Sequence, residues 1–257
     1  MTSGLDGRTV LITGANRGLG AAFVEAALAR GAATVLACAR NTAAMPRFSD
    51  PARVVAVRMD MSDGASITAA AAEHPGVDLI VSNAALTRQA PVLADRDDEA
   101  QLRELMDVNV FGPLRLVRAF RGDLRRPGSG AVFVLSVAAV SLSRSSPMYS
   151  ASKAAGLMLA LALREEIGDA GGSVTTVMAG YIDTDMATGS DAPKASPRQV
   201  AERSLDGWLD GDPTVWPDRF AELVRAAVGE PFRRLLDTPR EALAEVHATF
   251  RAGAEVG

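Results

Sequence analysis

The sequence is poor in the residues that disulfides, metal sites and membrane spans require. Its single cysteine, Cys38, excludes an internal disulfide and favours a reducing compartment. The two histidines, His74 and His247, lie far apart, and no Cys/His cluster has metal-ligand spacing, so no metal is predicted. No run of 18 or more apolar residues occurs, and the first residues lack the basic and apolar regions of a signal peptide. These absences predict a cytoplasmic protein with no membrane partner.

Charge and composition narrow the class of protein further. Lys and Arg number 27 against 31 Asp and Glu, and no basic run occurs, so no nucleic-acid partner is predicted. With 48% apolar residues, the 257-residue chain differs in composition from disordered proteins. This length predicts one large domain over residues 1–257 with a substantial core.

Lysine and tyrosine are also rare, with two of each in the chain. One of each lies four residues apart, Tyr149 and Lys153, in the segment YSASK. Residues at i and i+4 share one face of a helix, and a nearby cation lowers the pKa of a phenol. The pair therefore suits a general acid for carbonyl reduction or a general base for alcohol oxidation. An exposed polar pair on a helix has the same spacing, and the spacing alone leaves both interpretations open.

Short β-branched runs alternate with longer helical patterns along the chain. The predicted strands are Arg8–Thr13, Ala33–Ala39, Arg53–Arg58, Val77–Ser82, Ala131–Ser136 and Ser173–Met178. The predicted helices include Ala65–Glu73, Asp97–Arg121, Met148–Ile167, Arg198–Gly211 and Arg219–Val228. This alternation predicts an α/β fold, a doubly wound (Rossmann) parallel sheet with helices on both faces.

The end of the chain departs from this alternation. The segment PTVWPDR at 213–219 leads into a helical pattern, so we predict an atypical helical C-terminus in place of a clear seventh strand. A small, polar, proline-containing loop precedes it, and we predict a lid over about residues 186–211. The charged, amphipathic tail predicts a helical extension over about residues 231–257.

The segment TGANRGLG, Thr13–Gly20, joins the first predicted strand to the first helix. Glycines at such a turn let the backbone approach a pyrophosphate at the helix N-terminus, which predicts a dinucleotide site. Arg17 in the turn and Arg40 at the end of the second strand favour NADP(H) over NAD(H), because arginine accommodates a 2′-phosphate. An ordinary βα turn and two solvated surface arginines are the alternatives.

Parallel strands bring their carboxyl ends to one edge of a sheet, and ligands bind there. Gly14 and Asn83 follow predicted strands and Ser136 ends one, so they should gather beside Tyr149 and Lys153.

Six features occur in order along the chain: TGANRGLG, RMDMSD, SNAA, VNVFG, the serine at 136 and YSASK. Together they resemble the short-chain dehydrogenase/reductase family, in its compact single-domain form, over roughly residues 5–186. Two departures stand out: SNAA ends in Ala85 where the family usually has glycine, and Ala179-Gly180 replaces Pro-Gly.

The resemblance implies a role for each matching residue. Tyr149 would be the acid/base, and Lys153 would bind the nicotinamide ribose and lower the tyrosine pKa. Ser136 would bind the substrate oxygen, and Asn109 would hold a water in a proton relay. The cofactor-binding residues predicted from the turn and the resemblance together are Gly14, Asn16, Arg17, Gly18, Leu19, Gly20, Arg40, Asp60, Met61, Asn83, Ala84, Ala85, Tyr149, Lys153, Gly180, Ile182 and Thr184.

The predicted substrate pocket is apolar and partly aromatic, and it consists of Val137, Ala138, Leu142, Met148, Tyr181 and Met186. We therefore predict NADPH-dependent reduction of a ketone or aldehyde in a small to medium apolar or aromatic molecule. The alternatives are an NAD-dependent alcohol dehydrogenase of the same family and a non-catalytic NADP(H)-sensing protein. A hydrolase is not predicted, because the sequence has no G-x-S-x-G elbow. The resemblance also implies a homodimer or homotetramer.

Overall fold

The computed structural model describes residues 4–89, 91–93, 98–188 and 191–237. The strands are β1 Thr9–Thr13, β2 Thr34–Ala39, β3 Val54–Arg58, β4 Leu79–Ser82, β5 Gly130–Val134, β6 Ser173–Val177 and β7 Thr214–Val215. The helices are α1 Gly18–Ala29, α2 Gly64–Glu73, α3 Glu99–Met106, α4 Gly112–Ala119, α5 Arg121–Leu124, α6 Pro147–Gly168, α7 Pro197–Asp210 and α8 Arg219–Asp237. The strands form one parallel sheet in the order β3-β2-β1-β4-β5-β6-β7, which confirms the predicted doubly wound fold.

The central strands are buried on both faces of the sheet. Along β4, Leu79 and Val81 belong to one apolar cluster, whereas Ile80 belongs to the other. Phe23 of α1 packs in the first cluster, and Leu157 of α6 packs in the second. Burial on both faces explains why these strands are nearly continuous apolar runs in the sequence.

The two sides of β1 determine where a ligand can bind. β2 pairs with one side and β4 with the other, so the strand order reverses here. A crevice opens at the carboxyl ends of strands on either side of such a reversal. Thr13 and Asn83 flank this crevice at the ends of β1 and β4.

A short seventh strand corrects the prediction for the end of the chain. Thr214–Val215 pairs in parallel with β6, with Thr214 opposite Thr176 and Val215 opposite Val177. The expectation of helix in place of a clear seventh strand is therefore wrong at these two residues. A strand this short carries no periodicity that a sequence pattern can reveal.

Arg164 of α6 fastens the edge of the sheet. Its guanidinium donates hydrogen bonds to the carbonyl oxygens of Val174, Pro213 and Leu236. Burial lowers its pKa, although the nearby acidic side chains of Asp237 and Glu165 oppose this effect. One cation thus holds together the sixth strand, the start of the seventh and the end of α8.

Helix α7 occupies much of the predicted lid. Its Val200, Ala201 and Leu205 are fully buried in the cluster that contains α1. The helical part of the 186–211 range therefore packs into the core through these residues.

The end of the described chain is helical but bent. Helix α8 is interrupted at Gly229, whose φ of 75° and ψ of 167° are not helical. Residues 231–237 complete this helix, and the rest of the predicted extension, 238–257, lies outside the described residues. Within the described ranges, no helix is both long enough and apolar enough to cross a membrane.

Cys38 lies inside the sheet on β2. It is 1% exposed, and its Sγ is 3.6 Å from the carbonyl oxygen of Leu36. Burial raises the pKa of the thiol, so the reactive thiolate does not form near neutral pH.

Candidate active site

The turn after β1 has a backbone that only glycine accommodates. Gly14 and Gly18 adopt φ values of 68° and 52°, in the left-handed region. A Cβ on Gly20 would overlap the carbonyl oxygen of Gly14 and lie 2.8 Å from Nδ2 of Asn83. Helix α1 begins at Gly18, so its first N–H groups lie beside this turn. The shape and the helix N-terminus fit the pyrophosphate of a dinucleotide.

The end of β4 is clamped onto the end of β1 through Thr13. The backbone N–H groups of Asn83 and Ala84 both donate to Thr13 Oγ1 at 3.0 Å. The Asn83 side chain donates to the Thr13 carbonyl oxygen at 2.9 Å. Asn83 and Ala84 thereby come next to the glycine turn, where a Cβ on Gly14 would be 3.1–3.3 Å from them.

The two predicted phosphate ligands have different surroundings. Arg40 is exposed at the end of β2. Arg17 is also exposed and forms an ion pair with Asp185, which follows the loop after β6. Exposed pairs of this kind contribute little to stability, so Arg17 can exchange this carboxylate for another anion at small cost.

Asp60 and Met61 lie after β3, as predicted. Burial acts to raise the Asp60 pKa, but hydrogen bonds from Ser62, with the charges of Arg40 and Arg58, lower it overall. The carboxylate accepts from the Ser62 N–H at 3.0 Å and from its hydroxyl at 2.7 Å. Met61 is buried.

Tyr149, Ser136 and Lys153 come together at the start of α6. Ser136 follows β5, and its side chain acts to lower the pKa of Tyr149, while its Oγ accepts from the Ala138 N–H at 3.1 Å. Lys153 is buried, and its Nζ donates to the Val134 carbonyl oxygen at 3.0 Å. The same Nζ is 5.6 Å from the centre of the Tyr149 ring.

Burial dominates the pKa values of this cluster. It raises the pKa of Tyr149 to about 12, and the neighbouring Ser136 side chain only partly opposes the shift. It lowers the pKa of Lys153 to about 8. The direction for Tyr149 differs from the expectation that Lys153 lowers its pKa, because desolvation penalises the phenolate more than the neighbouring groups favour it.

Asn109 lies in a π-helical segment, Asp107–Phe111, which interrupts the predicted helix between α3 and α4. Its Oδ1 accepts from the Leu86 N–H at 2.7 Å, and its Nδ2 donates to the Leu86 carbonyl oxygen and to Ser152 Oγ, both at 2.9 Å. Short π-helical turns are frequent at functional sites. The side chain thus fixes the segment after β4 against α6, and Oδ1 keeps one further acceptor position.

The loop after β6 is held by Asp218, the residue immediately before α8. The Gly180 N–H donates to Asp218 Oδ2 at 2.7 Å, and Asp218 Oδ1 accepts from the Ala221 N–H at 2.9 Å. The Tyr181 and Phe220 rings are tilted, with centres 5.3 Å apart. Further along, Gly18 approaches Thr184, whose Cγ2 would be 3.1 Å from an added Cβ.

Comparison with known proteins identifies the family of this chain. The family model described as short chain dehydrogenase matches residues 8–195. The chain belongs to the short-chain dehydrogenase family. It is therefore an oxidoreductase.

Individual relatives agree with this assignment. The short-chain dehydrogenase PC-15 of Penicillium crustosum is 36% identical over 186 residues, which cover 70% of this chain and 68% of the relative. The 3-oxoacyl-(acyl-carrier-protein) reductase of Salmonella typhimurium is 30% identical over 188 residues, covering 70% and 76% of the two chains. Among solved structures, a short chain dehydrogenase from Burkholderia cenocepacia in complex with NADP is 32% identical, with a TM-score of 0.81 over 94% of this chain and 98% of the other.

The residues predicted to line the substrate pocket differ in their exposure to solvent. Val137 and Ala138 are buried next to Ser136. Leu142, Tyr181 and Met186 are exposed large hydrophobic residues, and Met148 is half-buried on α6. Of the remaining predicted cofactor residues, Asn16 lies in the glycine turn and Leu19 in the first turn of α1. Ala85 lies in the segment after β4, and Ile182 lies in the loop after β6.

Three residues of the site were missed from the sequence. Ser152 lies inside the YSASK segment, yet nothing in the sequence indicated that it bonds Asn109. Asp218 precedes a helical pattern, which is the signal of an N-cap and could have identified it. Phe220 carried no signal, because only the fold brings it to Tyr181.

Proposed function

We propose that this short-chain dehydrogenase is an NADPH-dependent reductase of a ketone or aldehyde. The observation that carries the proposal is the grouping of three side chains at the start of α6: Tyr149, the Ser136 that acts to lower its pKa, and the buried ammonium of Lys153, 5.6 Å from the centre of the Tyr149 ring. These are the groups that a carbonyl oxygen requires as it gains negative charge: a donor, a proton and a cation.

A bound nicotinamide dinucleotide would supply the hydride. The side chains of the protein do the rest. Ser136 Oγ orients the substrate oxygen by donating a hydrogen bond, and Tyr149 Oη transfers its proton to that oxygen. Because its pKa is about 12, Tyr149 is protonated at neutral pH, which is the form that reduction needs. The charge of Lys153 then stabilises the phenolate that remains.

The choice of NADP(H) rests on two exposed guanidiniums and the absence of an acid at the end of β2, which finishes with Ala39 before Arg40. Arg40 and Arg17 flank the glycine turn and would neutralise a 2′-phosphate. The Burkholderia cenocepacia relative in complex with NADP supports this choice.

For the substrate, we propose a small to medium apolar or aromatic carbonyl compound. Val137 and Ala138, the buried residues after Ser136, are apolar, and Tyr181 in the loop after β6 forms an aromatic pair with Phe220. Such a cleft favours apolar groups next to the reacting carbonyl.

We also propose that the protein is a homodimer or homotetramer through α4 and α6. An apolar groove between these helices is lined by Leu114, Val117 and Leu163, and Phe111 and Met158 are large exposed apolar residues nearby in sequence. Met158→Asp should shift the mass measured by light scattering to that of the monomer. An unchanged mass would contradict the proposed contact.

The proposed reaction is tested by following NADPH and NADH oxidation with a panel of ketones and aldehydes. We expect turnover with NADPH, with a higher kcat/KM than with NADH, and a loss on the order of 10³-fold in Tyr149→Phe. Titration of Tyr149→Phe with NADPH serves as the control, since binding should persist. Equal or better use of NAD in alcohol oxidation would favour the NAD-dependent alternative. Tight NADPH binding without turnover would favour the non-catalytic one.

A further inference from the structure

Asp218 is a buried carboxylate outside the Tyr149, Ser136 and Lys153 cluster. It is 4% exposed and precedes the first residue of α8. Oδ1 accepts from the Ala221 N–H at 2.9 Å, the usual bond of a helix N-cap. Oδ2 makes a second bond that helix capping does not require: it accepts from the Gly180 N–H at 2.7 Å. One carboxylate therefore connects the start of α8 to the loop after β6.

This loop runs from the catalytic serine to the glycine turn. At its start, the Val137 N–H, next to Ser136, donates to the Ala179 carbonyl oxygen at 2.9 Å. At its end, Thr184 contacts Gly18 closely enough that a Cβ there would be 3.1 Å away. A shift of this loop would move groups at both the substrate side and the cofactor side of the crevice.

Between these ends, the loop has two further attachments. The Ala195 N–H donates to the Tyr181 carbonyl oxygen at 2.8 Å, and the Asp183 N–H donates to the Ala195 carbonyl oxygen at 2.9 Å. These are neutral backbone bonds to a neighbouring loop. The bond that the Gly180 N–H donates to the buried Asp218 carboxylate is charge-assisted, so it is the stronger restraint.

The close approach also explains the glycine at 180. A Cβ there would lie 2.6 Å from Asp218 Oδ1 and 3.0 Å from the Phe220 ring. The glycine thus lets the loop backbone reach the carboxylate.

We propose that Asp218 is a positioning residue for the nicotinamide side of the site, which it controls by fixing the loop 180–184. The inference rests on the proposed function, since it assumes that Ile182 and Thr184 meet the nicotinamide carboxamide. In this role Asp218 acts on the site indirectly, without a contact to substrate or cofactor of its own. Its effect passes through the Gly180 N–H.

Two substitutions separate this role from helix capping. Asp218→Ser keeps an N-cap for α8, but its shorter side chain cannot also reach the Gly180 N–H. Asp218→Asn can accept from one N–H but presents an NH₂ group, a donor, to the other. The matched control is Asp123→Asn, because Asp123 also accepts from backbone N–H groups, those of Gly76 and Val77 at 3.1–3.2 Å, at the opposite end of the sheet.

The experiment measures three properties of the full-length protein. Hydrogen exchange of a peptide covering 179–184 in the free protein should accelerate in both Asp218 variants. The Kd for NADPH should rise about tenfold, as expected for loss of one charge-assisted hydrogen bond that positions the ligand. The Kd for adenosine 2′,5′-diphosphate, which lacks the nicotinamide, should stay unchanged. Asp123→Asn should change none of these.

Each contrary result overturns the inference. Unchanged exchange or unchanged NADPH affinity in Asp218→Ser would show that Asp218 only caps α8. Parallel weakening of NADPH and adenosine 2′,5′-diphosphate would show a general structural loss. A wild-type protein that binds NADPH but reduces no carbonyl contradicts the proposed function alone, because exchange and the two affinities still test Asp218. A wild-type protein that does not bind NADPH contradicts both.

Discussion

The ammonium of Lys153 lies 5.6 Å from the centre of the Tyr149 ring and donates to a backbone carbonyl at 3.0 Å. Burial moves the two pKa values in opposite directions, that of Lys153 down to about 8 and that of Tyr149 up to about 12. Both shifts favour the neutral forms. The pH dependence of stability and of activity should therefore report on this pair.

Lys153→Met should remove a pH-dependent part of the free energy of unfolding. The pKa of this amine is about 8 in the folded protein against 10.5 in the unfolded chain, so the unfolded state binds more protons between these values. The free energy of unfolding therefore rises with pH through the window between these two values. Below pH 8, the buried charge of Lys153 lowers it by about 3 kcal/mol. Urea unfolding at two pH values within the window measures the rise. Lys194→Met, at an exposed lysine, is the control and should keep the rise. A rise that persists in Lys153→Met would contradict the assignment.

The reductase reaction should lose activity above about pH 8, where the ammonium of Lys153 deprotonates. Tyr149, with its pKa of about 12, remains a proton donor around pH 8 and causes no further change in the pH profile there. The pH profile of kcat/KM reports the free enzyme and is the measurement to make. Lys153→Arg, which stays charged, should lower the plateau and move the descending limb to higher pH. A wild-type profile that is flat well above pH 8 would exclude Lys153 as the titrating group.

Arg40→Asp should reverse the preference between the two dinucleotides. An acid at the end of β2 suits a ribose 2′-hydroxyl, whereas it repels a 2′-phosphate. We expect kcat/KM for NADPH to fall about 10- to 100-fold while that for NADH holds or rises. Arg58→Asp is the matched control, because Arg58 is also exposed at a strand end and also lowers the Asp60 pKa. Equal losses in both variants would indicate a general charge effect instead of phosphate recognition.

Gly20→Ala should destabilise the protein and abolish dinucleotide binding. Its Cβ would overlap the Gly14 carbonyl oxygen, and backbone atoms there cannot move without disturbing β1. A loss of roughly 3 kcal/mol in the free energy of unfolding is expected for such overpacking. Gly122→Ala is the control, since no heavy atom lies within 4 Å of a Cβ there. Thermal and urea unfolding compare the two variants, and equal stabilities would refute the steric argument.

The fold was predictable because its signals are local. Each central strand is an apolar run that ends in a turn, and parallel strands with helical crossovers have few possible arrangements. β7 escaped prediction because two residues have no period, and Arg164 holds this edge through bonds that only the folded chain brings together. The burial of α7 could not be predicted either, because its sequence does not show that α1 packs against it.

The site was predictable where chemistry dictates residue type. Glycine in the turn, and tyrosine and lysine four apart, are choices with few substitutes. The direction of the Tyr149 pKa shift was not predictable, because it depends on burial, which outweighs the opposing effect of Ser136. The partners of Asn109 and Asp218 were hidden too, since both bond to backbone groups of loops far away in sequence.

The burial of Cys38 inside the sheet has a practical consequence. The chain has no other cysteine, and this thiol does not ionise near neutral pH, so the wild-type protein should not react with maleimides. A cysteine introduced on the exposed loop at Thr188 would then be labelled alone. A fluorophore or spin label at that position would report how this loop responds when NADPH is added, without any need to remove the native thiol.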